Sequence, residues 1–343
     1  MRDDAGPQGA PDGKIEVFQC LPAYRRGKSK ESQGVQLYRG VPAASHRDAD
    51  HVALTIGNFD GVHRGHQAML NRLAEAAEDL GLPPVVLTFD PHPREFFARA
   101  VAPPRLSTLR SKLEIFATLG VARVYIARFD ARLATLTATQ FIDDVLVRAL
   151  RTRWVLVGED FRFGRGRSGD LEVLRATART FSVEAMTTVM VEGERVSSSA
   201  IREALAKGEL ERAASMLGRP YAIVGRVAHG DKLGRNLGFP TANVPLRHKP
   251  ALSGIFAVRV RGLGNAPRLG VASLGVRPTV KAGARPLLEV FVFDFDAAIY
   301  GRRISVEFLH KLRDEERYAD LDALRRQIHA DVVQARDYFA TQR

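Results

Sequence analysis

The distribution of apolar residues predicts alternating strands and helices in the first part of the chain. From Val52 onward, short apolar runs are separated by stretches whose apolar residues recur every three or four positions. Such runs are typical of buried strands, and this spacing is typical of helices that pack on a sheet by one face. The runs are VALTI (52–56), VVLTF (85–89), VYIARF (124–129), WVLVG (154–158) and VEAMTTV (183–189). Strands that alternate with helices predict the α/β class, a doubly wound parallel sheet with helices on both faces.

Three stretches between these runs carry the signals of helices. They are HQAMLNRLAEAAEDLG (66–81), LRSKLEIFATLG (109–120) and ATQFIDDVLVRAL (138–150). Thr137 and Gln140 form a capping box in front of the third stretch. Gly81 and Gly120 stand where the first two helices are expected to end.

After Pro220 the pattern changes, because strand-like runs follow one another with few helices between them. These runs are YAIVGRV (221–227), GIFAVRV (254–260), LGVASLG (269–275), LLEVFVFDF (287–295) and RRISVEF (302–308). Parallel strands need long crossover connections, so this half predicts an antiparallel sheet closed into a small β-barrel. An amphipathic terminal helix over about 321–339 would cover one side, and the helical segment 197–219 would link the two halves.

Length and composition fit two domains. A chain of 343 residues with 45% hydrophobic and 26% charged residues can bury two separate cores. We expect a polar, loosely ordered extension over residues 1–33, a first domain over 34–218 and a second over 219–343. The single cysteine, Cys20, excludes an internal disulfide. No apolar run is long enough to span a bilayer, so we expect a cytoplasmic protein without a membrane partner.

The net charge of +12 raises the question of a polyanionic partner, either a nucleic acid or a small phosphorylated ligand. The densest basic run, RRGKSK (25–30), lies in the extension, and the remaining arginines are scattered along the chain. Nucleic-acid binding proteins cluster their basic residues on one face or along one helix. The pattern therefore favours small-molecule ligands over a nucleic acid.

The stretch GNFDGVHRGH (57–66) follows the first predicted strand of the alternating region. In a doubly wound sheet, ligands bind at the carboxyl ends of the strands, where helix N-termini offer free N–H groups to phosphates. His63 and His66 lie three positions apart and can both face an α-phosphate, which suits nucleotidyl transfer with loss of pyrophosphate. The P-loop pattern GxxxxGK[ST] is absent from the chain. The alternative is that both histidines cap and pack the first helix.

Three further stretches of the first half carry candidate chemistry. TFDPHP (88–93) follows the second run of the alternating region, at the same predicted sheet edge, although turn chemistry alone explains such prolines. The glycine- and arginine-rich loop 157–170 carries Phe161 and Phe163, which either stack a planar ligand or anchor the core. Ser197, Ser198 and Ser199 precede a helix start, and Arg202 in its first turn opposes the helix dipole, which suggests a bound anion.

The informative stretch of the second half is GRVAHGDKLGRNLGFPTANV (225–244). Its glycines at 230, 234 and 238 suit a loop wrapped around phosphates, to which Lys232 and Arg235 would add positive charge. Thr241 and Asn243 offer the hard oxygen ligands that suit Mg2+ bridging ATP phosphates. Glu289 is a carboxylate in an otherwise apolar strand. It is either the general base for an attacking hydroxyl or an outward-facing residue on a solvated strand, and alternation leaves its face open.

These motifs together resemble a known family. GNFDGVHRGH, TFDPHP, GEDFRFG and SSSAIRE match, in order and spacing, the Rossmann-like HxGH nucleotidyltransferase module of the bacterial bifunctional riboflavin kinase/FMN adenylyltransferases, also called FAD synthetases. GRxLGFPTAN followed by a strand glutamate resembles their kinase module. The resemblance runs from about Val35 to the C-terminus. It implies that the barrel phosphorylates riboflavin to FMN and that the first domain adenylylates FMN to FAD, each step using Mg-ATP.

The resemblance also implies roles for individual residues. In the first domain it implies ATP contacts for Gly57, Asn58, Asp60, His63, Gly65, His66, Asp90, His92, Ser198, Ser199 and Arg202, and flavin contacts for Asp160, Phe161 and Phe163. In the second domain it implies ATP contacts for Gly230, Lys232, Gly234, Arg235 and Pro240, with Thr241 and Asn243 as Mg2+ ligands and Glu289 as base. Arg313, in KLRDEERY (311–318), would lie beside the flavin ring.

Two other functions stay open at this point. One is a different HxGH enzyme, such as a cytidylyltransferase or an aminoacyl-tRNA synthetase fragment, against which the PTAN motif argues. The other is a basic nucleic-acid-binding protein, for which salt-dependent binding to DNA or RNA would be the evidence. The expected partners are riboflavin, FMN and ATP, and the motifs do not specify an oligomeric state.

Overall fold

The computed structural model describes residues 16–18, 34–42, 50–98, 101–230, 234, 237–275 and 286–342. They form two compact units. The second unit takes in Asp60–Gly65, Pro103–Lys112 and the described residues from Val189 onward, and the first takes in the rest. This packing divides the chain differently from the predicted boundary between residues 218 and 219. That boundary, which concerns function, stays a prediction.

The first unit is built on a seven-stranded sheet. In chain order its strands are β1 (Glu16–Phe18), β2 (Val35–Arg39), β3 (Val52–Ile56), β4 (Pro84–Asp90), β5 (Arg123–Arg128), β6 (Thr152–Gly158) and β7 (Ser182–Met186). The spatial order is β1-β2-β5-β4-β3-β6-β7, with β2 to β7 parallel and β1 antiparallel at the edge. The predicted parallel sheet is confirmed. The sequence analysis did not predict β1 and β2, and the rest of residues 1–33 lies outside the described part of the chain.

Helices connect the strands of this sheet. They are α1 (Arg64–Leu80), α2 (Pro93–Phe97), α3 (Leu109–Thr118), α4 (Ala131–Thr135), α5 (Ala138–Gln140), a π-helix (Phe141–Ala149) and α6 (Leu171–Thr177). Every residue of β3 is buried, as expected for a parallel strand covered on both faces. The core of one face joins Leu54, Val85 and Val155 to Leu146 of the π-helix.

The helix predicted over 138–150 differs in detail. Its capping box is present, with the Gln140 amide donating to Thr137 Oγ1 (3.1 Å) and the Thr137 amide donating to Gln140 Oε1 (2.9 Å). After this first turn the chain widens into the π-helix. Residues four and five positions apart still share one face there, so the apolar spacing alone does not distinguish it from an α-helix. The predicted ends of the first two helices are confirmed, because Gly81 and Gly120 have left-handed φ angles of 64° and 79°.

The second unit contains the antiparallel sheet. A short hairpin, β8 (Met190–Val191) and β9 (Glu194–Arg195), precedes it, and its strands are β10 (Ala222–Arg226), β11 (Thr241–Pro245), β12 (Gly254–Arg261), β13 (Arg268–Gly275), β14 (Leu287–Val292) and β15 (Arg303–Arg313). Their spatial order is β10-β15-β12-β13-β14-β11. The amide of Ala228, just beyond β10, donates to the carbonyl oxygen of Asn243 in β11 (2.7 Å), which joins the two edge strands. The predicted barrel is confirmed, with β11 as a strand that was not predicted.

Helices complete the core of the second unit. Phe256 and Phe308 meet edge to face inside the barrel at 5.2 Å. The same core includes Ile201 of α7 (Ser198–Lys207) and Met216 of α8 (Leu210–Leu217), which is why this linking segment belongs to the second unit. The terminal helix α9 (Leu321–Thr341) packs Ala335 against a separate apolar cluster on β12 and β13. Among the described residues, no helix is both long and apolar enough to cross a membrane.

Candidate active sites

The backbone of the loop between β3 and α1 is strained. Phe59, Gly61 and Val62 have left-handed φ angles of 48°, 82° and 42°. Phe59 and Val62 are fully buried, and Val62 is β-branched, the type of residue least suited to a positive φ. Such residues cost about 1–3 kcal/mol each and persist only where the surrounding structure holds them. Contacts from neighbouring residues must therefore hold this loop in its conformation.

Asp60 anchors the loop from within the protein. Its carboxylate accepts hydrogen bonds from the amides of Leu106 and Ser107, both at 3.1 Å, and from the Ser107 hydroxyl at 3.3 Å. It also forms an ion pair with Arg202, and only 5% of the Asp60 side chain is exposed. These contacts give Asp60 a structural role, because they fix the loop to residues 106, 107 and 202. Its contact with ATP stays a prediction.

All three nitrogens of the Arg202 guanidinium donate to protein acceptors. Nε donates to the carbonyl oxygen of Pro104 (2.6 Å), Nη1 donates to that of Ser198 (3.1 Å), and Nη2 donates to Asp60. The Asp60 carboxylate therefore supplies the negative charge beside Arg202 near the start of α7. The bound anion that the sequence suggested there is not needed to explain this arginine. The Ser198 hydroxyl donates to the carbonyl oxygen of Asp60 (2.9 Å), while Ser197 caps α7. Triphosphate contacts for Ser198, the exposed Ser199 and Arg202 stay predictions.

His63 is a neutral imidazole at neutral pH in the unliganded protein. Burial lowers its pKa to about 4; Asp60 opposes this effect, while Arg219 and Arg202 add to it. His63 is 7% exposed, and its ring lies beside Gly65. A Cβ added at Gly65 would lie only 3.3 Å from that ring. A neutral imidazole ring can act on a bound phosphate by N–H donation.

The low pKa of His63 predicts a loss of stability in acid. An unfolded chain protonates His63 near pH 6.5, but the folded protein does so only near pH 4. The free energy of unfolding therefore decreases as pH falls through this window. We expect the decrease between pH 7.5 and pH 4.5 to be about 2.5 kcal/mol larger in the parent protein than in His63→Gln. Urea unfolding at both pH values measures it, and equal decreases in the two proteins would contradict this account.

Other predicted site residues lie at the carboxyl edge of the parallel sheet. Gly57 follows β3, its amide donates to Leu87 of β4 (3.1 Å), and Asp90 ends β4, so the two turns share one sheet edge as predicted. His66, in the first turn of α1, lies with its ring 5.0 Å from that of Phe59. His92 caps α2 by accepting from the Arg94 amide (3.1 Å). Asn58 stands in the same turn as Gly57.

The loop predicted to contact the flavin is partly core. Phe163 is 7% exposed and belongs to the apolar cluster of the sheet. A Cβ on Gly169 would lie 2.7 Å from its ring, so the loop closes tightly over it. Phe161 stacks on Phe163 at 5.3 Å, and Asp160 is exposed. Of the two alternatives for these aromatics, Phe163 is a core anchor, and flavin contacts for the three residues stay predictions.

In the second unit, strand register places the candidate kinase residues together. Asn243 of β11 pairs directly with Glu289 of β14, and Thr241 pairs with Phe291. The neighbours of Glu289, Leu288 and Val290, point into the barrel core, so Glu289 lies on the outer face. Directly paired residues share a face of the sheet, which puts Asn243 beside Glu289. The structure thus shows that Glu289 lies on the outer face of the sheet, which the alternation of residues in the sequence had left open.

Asn243 has the features of a metal ligand. It is 8% exposed, and its Oδ1 accepts no hydrogen bond from any residue within the described ranges. A buried acceptor without a partner is costly, and a hard cation such as Mg2+ would satisfy it. No group of three His, Cys, Asp or Glu side chains among the described residues could hold a metal. Neutral oxygens such as those of Thr241 and Asn243 suit Mg2+ that is carried by phosphates, because Mg2+ prefers oxygen ligands.

Gly230 and Gly234 of the glycine-rich stretch lie against the same two side chains. A Cβ on Gly230 would lie 2.4 Å from Asn243 Nδ2, and one on Gly234 would lie 2.5 Å from the carbonyl oxygen of Phe239 and 3.2 Å from Thr241 Oγ1. Only glycine permits these approaches. Pro240 is exposed directly before β11. Lys232 and Arg235 lie outside the described residues.

Arg313 is held by the terminal helix. Its Nε and Nη2 each donate to the Asp331 carboxylate at 2.7 Å, and Asp331 is 3% exposed. Gln327 also donates to Asp331 (3.0 Å). The flavin contact predicted for Arg313 stays a prediction. Beyond it in the chain, Glu315 lies against Gly275, and burial together with the nearby Glu289 raises the pKa of its carboxyl.

Sequence reasoning missed several residues that hold the first site. Leu106 and Ser107 bind Asp60 from 46 and 47 positions further along the chain, and Arg219 lies 157 positions from Val62, to which it donates. Contacts at such separations leave no periodic pattern in a single sequence. Only the folded chain identifies these partners.

The comparisons with known proteins find matches to both halves of the chain. A family model described as FAD synthetase matches residues 45–200, and one described as Riboflavin kinase matches residues 217–339. The chain is 48% identical over 308 residues to the bifunctional riboflavin kinase/FMN adenylyltransferase of Escherichia coli (strain K12), covering 89% of this chain and 98% of the relative. It is 44% identical over 308 residues to the enzyme of the same name from Haemophilus influenzae, covering 89% of this chain and 99% of the relative.

A solved structure shares the architecture. It is titled "Crystal Structure of Macrolide-efflux Protein from Streptococcus pneumoniae", with a TM-score of 0.72 and 28% identity, and the match covers 86% of this chain and 97% of that one. The two family matches fall on the parallel-sheet part and on the barrel, and the curated relatives cover almost their whole length. The chain therefore belongs to the bifunctional riboflavin kinase/FMN adenylyltransferase family.

Proposed function

We propose that the chain makes FAD from riboflavin in two ATP-dependent steps. The barrel transfers the γ-phosphate of ATP to the 5′-hydroxyl of riboflavin and gives FMN. The nucleotidyltransferase module transfers AMP from a second ATP to FMN and gives FAD and pyrophosphate. The observation that carries the proposal is the direct pairing of Asn243 and Glu289 on the outer face of the barrel. It brings together the residues that we propose as metal ligand and as base, and a hydroxyl phosphorylation needs both groups at one site.

In the kinase step, Glu289 accepts the proton of the riboflavin hydroxyl as that oxygen attacks the γ-phosphorus. The bond from the γ-phosphorus to the bridging oxygen breaks, and ADP leaves. The residues that would hold Mg2+ are Thr241 and Asn243, and the metal there would neutralise charge on the ATP phosphates. Gly230, Lys232, Gly234, Arg235 and Pro240 are proposed to line the ATP site, with Arg313 beside the flavin ring.

In the adenylyl step, a phosphate oxygen of FMN attacks the α-phosphorus of ATP. The bond to the β-phosphate oxygen breaks, and pyrophosphate leaves. The phosphate nucleophile is already ionised at neutral pH, so the step needs no general base. His63 and His66 are proposed to donate hydrogen bonds to charge that develops on the phosphates. We also propose that the other residues predicted to contact ATP or the flavin in the first domain do so in this step.

The proposed partners are small molecules. Many arginines that produce the high net charge are paired with carboxylates inside one unit, which leaves fewer of them for a polyanionic surface. Such pairs join Arg72 to Glu184, Arg212 to Glu194, Arg259 and Arg261 to Glu307, and Arg313 to Asp331. We propose Mg2+ as the metal of both steps and the cytoplasm as their location, because ATP is the co-substrate of both.

The test is to incubate the purified protein with riboflavin, ATP and Mg2+ and to resolve the flavins by chromatography over time. FMN should appear first and FAD should follow, and an excess of EDTA should stop both. If neither product formed, the proposal would fail; if only FMN formed, it would fail for the first half alone. A parallel filter-binding assay with RNA and DNA at low salt should show no retention, whereas tight binding would support the nucleic-acid alternative.

Gly230→Ala should affect the kinase step alone. The added methyl group would displace the Asn243 side chain, whose Nδ2 lies 2.4 Å from its position. Displacing a ligand by about 1 Å can cost about 100-fold in rate, so we expect FMN formation to decrease by about that factor. FAD formation from added FMN, measured in the same preparation, is the internal control and should not change. An equal loss of both activities would point to misfolding instead.

A further inference from the structure

Arg219, which is not among the predicted site residues, contacts the strained loop that precedes His63. Arg219 Nη2 donates to the carbonyl oxygen of Gly61 (2.5 Å), and Nη1 donates to that of Val62 (3.0 Å). Both carbonyls belong to residues with left-handed φ angles. The planar fork of a guanidinium suits two neighbouring acceptors, and the shape of the fork sets their relative positions.

Arg219 is itself held in place. It follows Gly218, the left-handed residue that ends α8, and its Nη1 also donates to the carbonyl oxygen of Leu217 (3.0 Å). A cation at a helix C-terminus is favoured by the helix dipole. The guanidinium therefore joins the rigid end of α8 to the loop, with little freedom of its own.

Three consecutive carbonyl groups of the loop have side-chain donors. Ser198 donates to the carbonyl oxygen of Asp60, and Arg219 donates to those of Gly61 and Val62. The Gly61 amide donates to Ser107 Oγ (2.9 Å). Side chains from other segments thus fix the orientation of the peptide planes directly before His63. Those planes determine the position of the His63 backbone, and so of its ring.

We infer that Arg219 is a positioning residue for the adenylyl transfer, acting through the carbonyl groups of Gly61 and Val62 on the placement of His63. The inference rests on the proposed function. Arg219 lies within residues 217–339, the part matched by the riboflavin kinase family, and outside residues 45–200, the part matched by the FAD synthetase family. Under this inference, a residue in the segment matched by the riboflavin kinase family serves the adenylyl transfer.

The first test measures both reactions in Arg219→Gln, Arg219→Lys and the control Arg212→Gln. Arg212 lies on α8 and pairs with Glu194 and Glu209, so the control removes the same charge without touching the loop. We expect kcat for FAD formation from FMN to decrease about 100-fold in Arg219→Gln, as for a misplaced catalytic group. Riboflavin phosphorylation should stay within about twofold of the parent, and the control should retain both activities.

Arg219→Lys separates position from charge. Lysine keeps the positive charge but lacks the planar guanidinium that donates to both carbonyl oxygens. We therefore expect kcat for FAD formation in Arg219→Lys to be about tenfold lower than in the parent protein. The pKa of His63, followed by NMR titration without substrates, should rise in Arg219→Gln, because the positive charge of Arg219 helps to lower it in the parent protein. In Arg219→Lys it should stay near the parent value.

Three outcomes would overturn the inference: full FAD formation by Arg219→Lys, equal loss of both activities in Arg219→Gln, or unchanged amide shifts of Gly61, Val62 and His63 in the unliganded Arg219→Gln protein. The amide shifts need no reaction, so they test the contact separately from the proposed function. If the parent protein made no FAD, the proposed function would fail and adenylyl transfer would no longer be the purpose of Arg219, even if the shifts moved.

Discussion

Replacing Glu289 by glutamine is expected to reduce riboflavin phosphorylation by about 1,000-fold, within the range for loss of a general base. Glutamine has the same shape as glutamate but cannot accept the proton of the attacking hydroxyl. Glu289 lies on the outer face of the barrel directly opposite Asn243, where the hydroxyl and the ATP phosphates are proposed to meet. Initial rates of FMN formation, resolved by chromatography, measure the effect.

A neighbouring carboxyl is the rival for this role. Glu315 lies near Glu289, and burial and the charge of Glu289 both raise the pKa of Glu315. Glu289 pairs with Asn243 within the sheet, whereas Glu315 follows β15 in the chain. Glu289 is therefore the better candidate of the two.

The control for this prediction is Glu211→Gln, which removes an exposed carboxylate from α8. It should leave both reactions unchanged, and Glu289→Gln should still convert added FMN to FAD at the parent rate. A rate of riboflavin phosphorylation within tenfold of the parent in Glu289→Gln would assign the base to another group.

His66→Ala is expected to accumulate FMN without forming FAD. Loss of one preorganised donor to a transition-state oxygen typically costs about 100- to 1,000-fold in kcat. His66 is in the first turn of α1, at the carboxyl edge of the parallel sheet, where its ring packs at 5.0 Å from that of Phe59. The measurement is the rate of FAD formation from FMN, with riboflavin phosphorylation in the same sample as a check on folding.

His51→Ala is the matched control for His66→Ala. His51 directly precedes β3 at the opposite, amino edge of the same sheet, where its Nδ1 lies 3.1 Å from the carbonyl oxygen of Arg151. Ligands of doubly wound sheets bind at the carboxyl edge, so this variant should keep both activities. Comparable losses of FAD formation in the two variants would mean that the effect of His66→Ala is structural.

Local sequence signals predicted most of the fold. The five runs of the first half are strands of one parallel sheet, the capping box of Thr137 and Gln140 is present, and Gly81 and Gly120 end their helices. These features depend on near neighbours, which a single sequence displays. The missed elements are short or were interpreted as site loops, as β1 and β11 show. The π-helix was missed because its apolar face has the spacing of an α-helix.

The candidate sites were predictable as motifs but not as geometry. The order of glycines, histidines and carboxylates along the chain indicated which turns are candidates for phosphate chemistry, because helix N-termini with such residues suit phosphate binding. The partners of those residues come from distant segments. Arg202 illustrates the limit: its position near a helix start suggested a bound anion, but the folded chain places Asp60 against it.

By itself, the sequence determined the two fold classes, the positions of the candidate phosphate-binding turns and the family, because each depends on local patterns of residue type. The tertiary structure alone decided that Glu289 and Asn243 share the outer face of the barrel, since strand register is set by pairing between β11 and β14. It also decided that Phe163 is a core anchor and that burial keeps His63 neutral. Burial, register and the ion pair of Asp60 with Arg202 arise between segments far apart in the chain, so they exist only once the chain has folded.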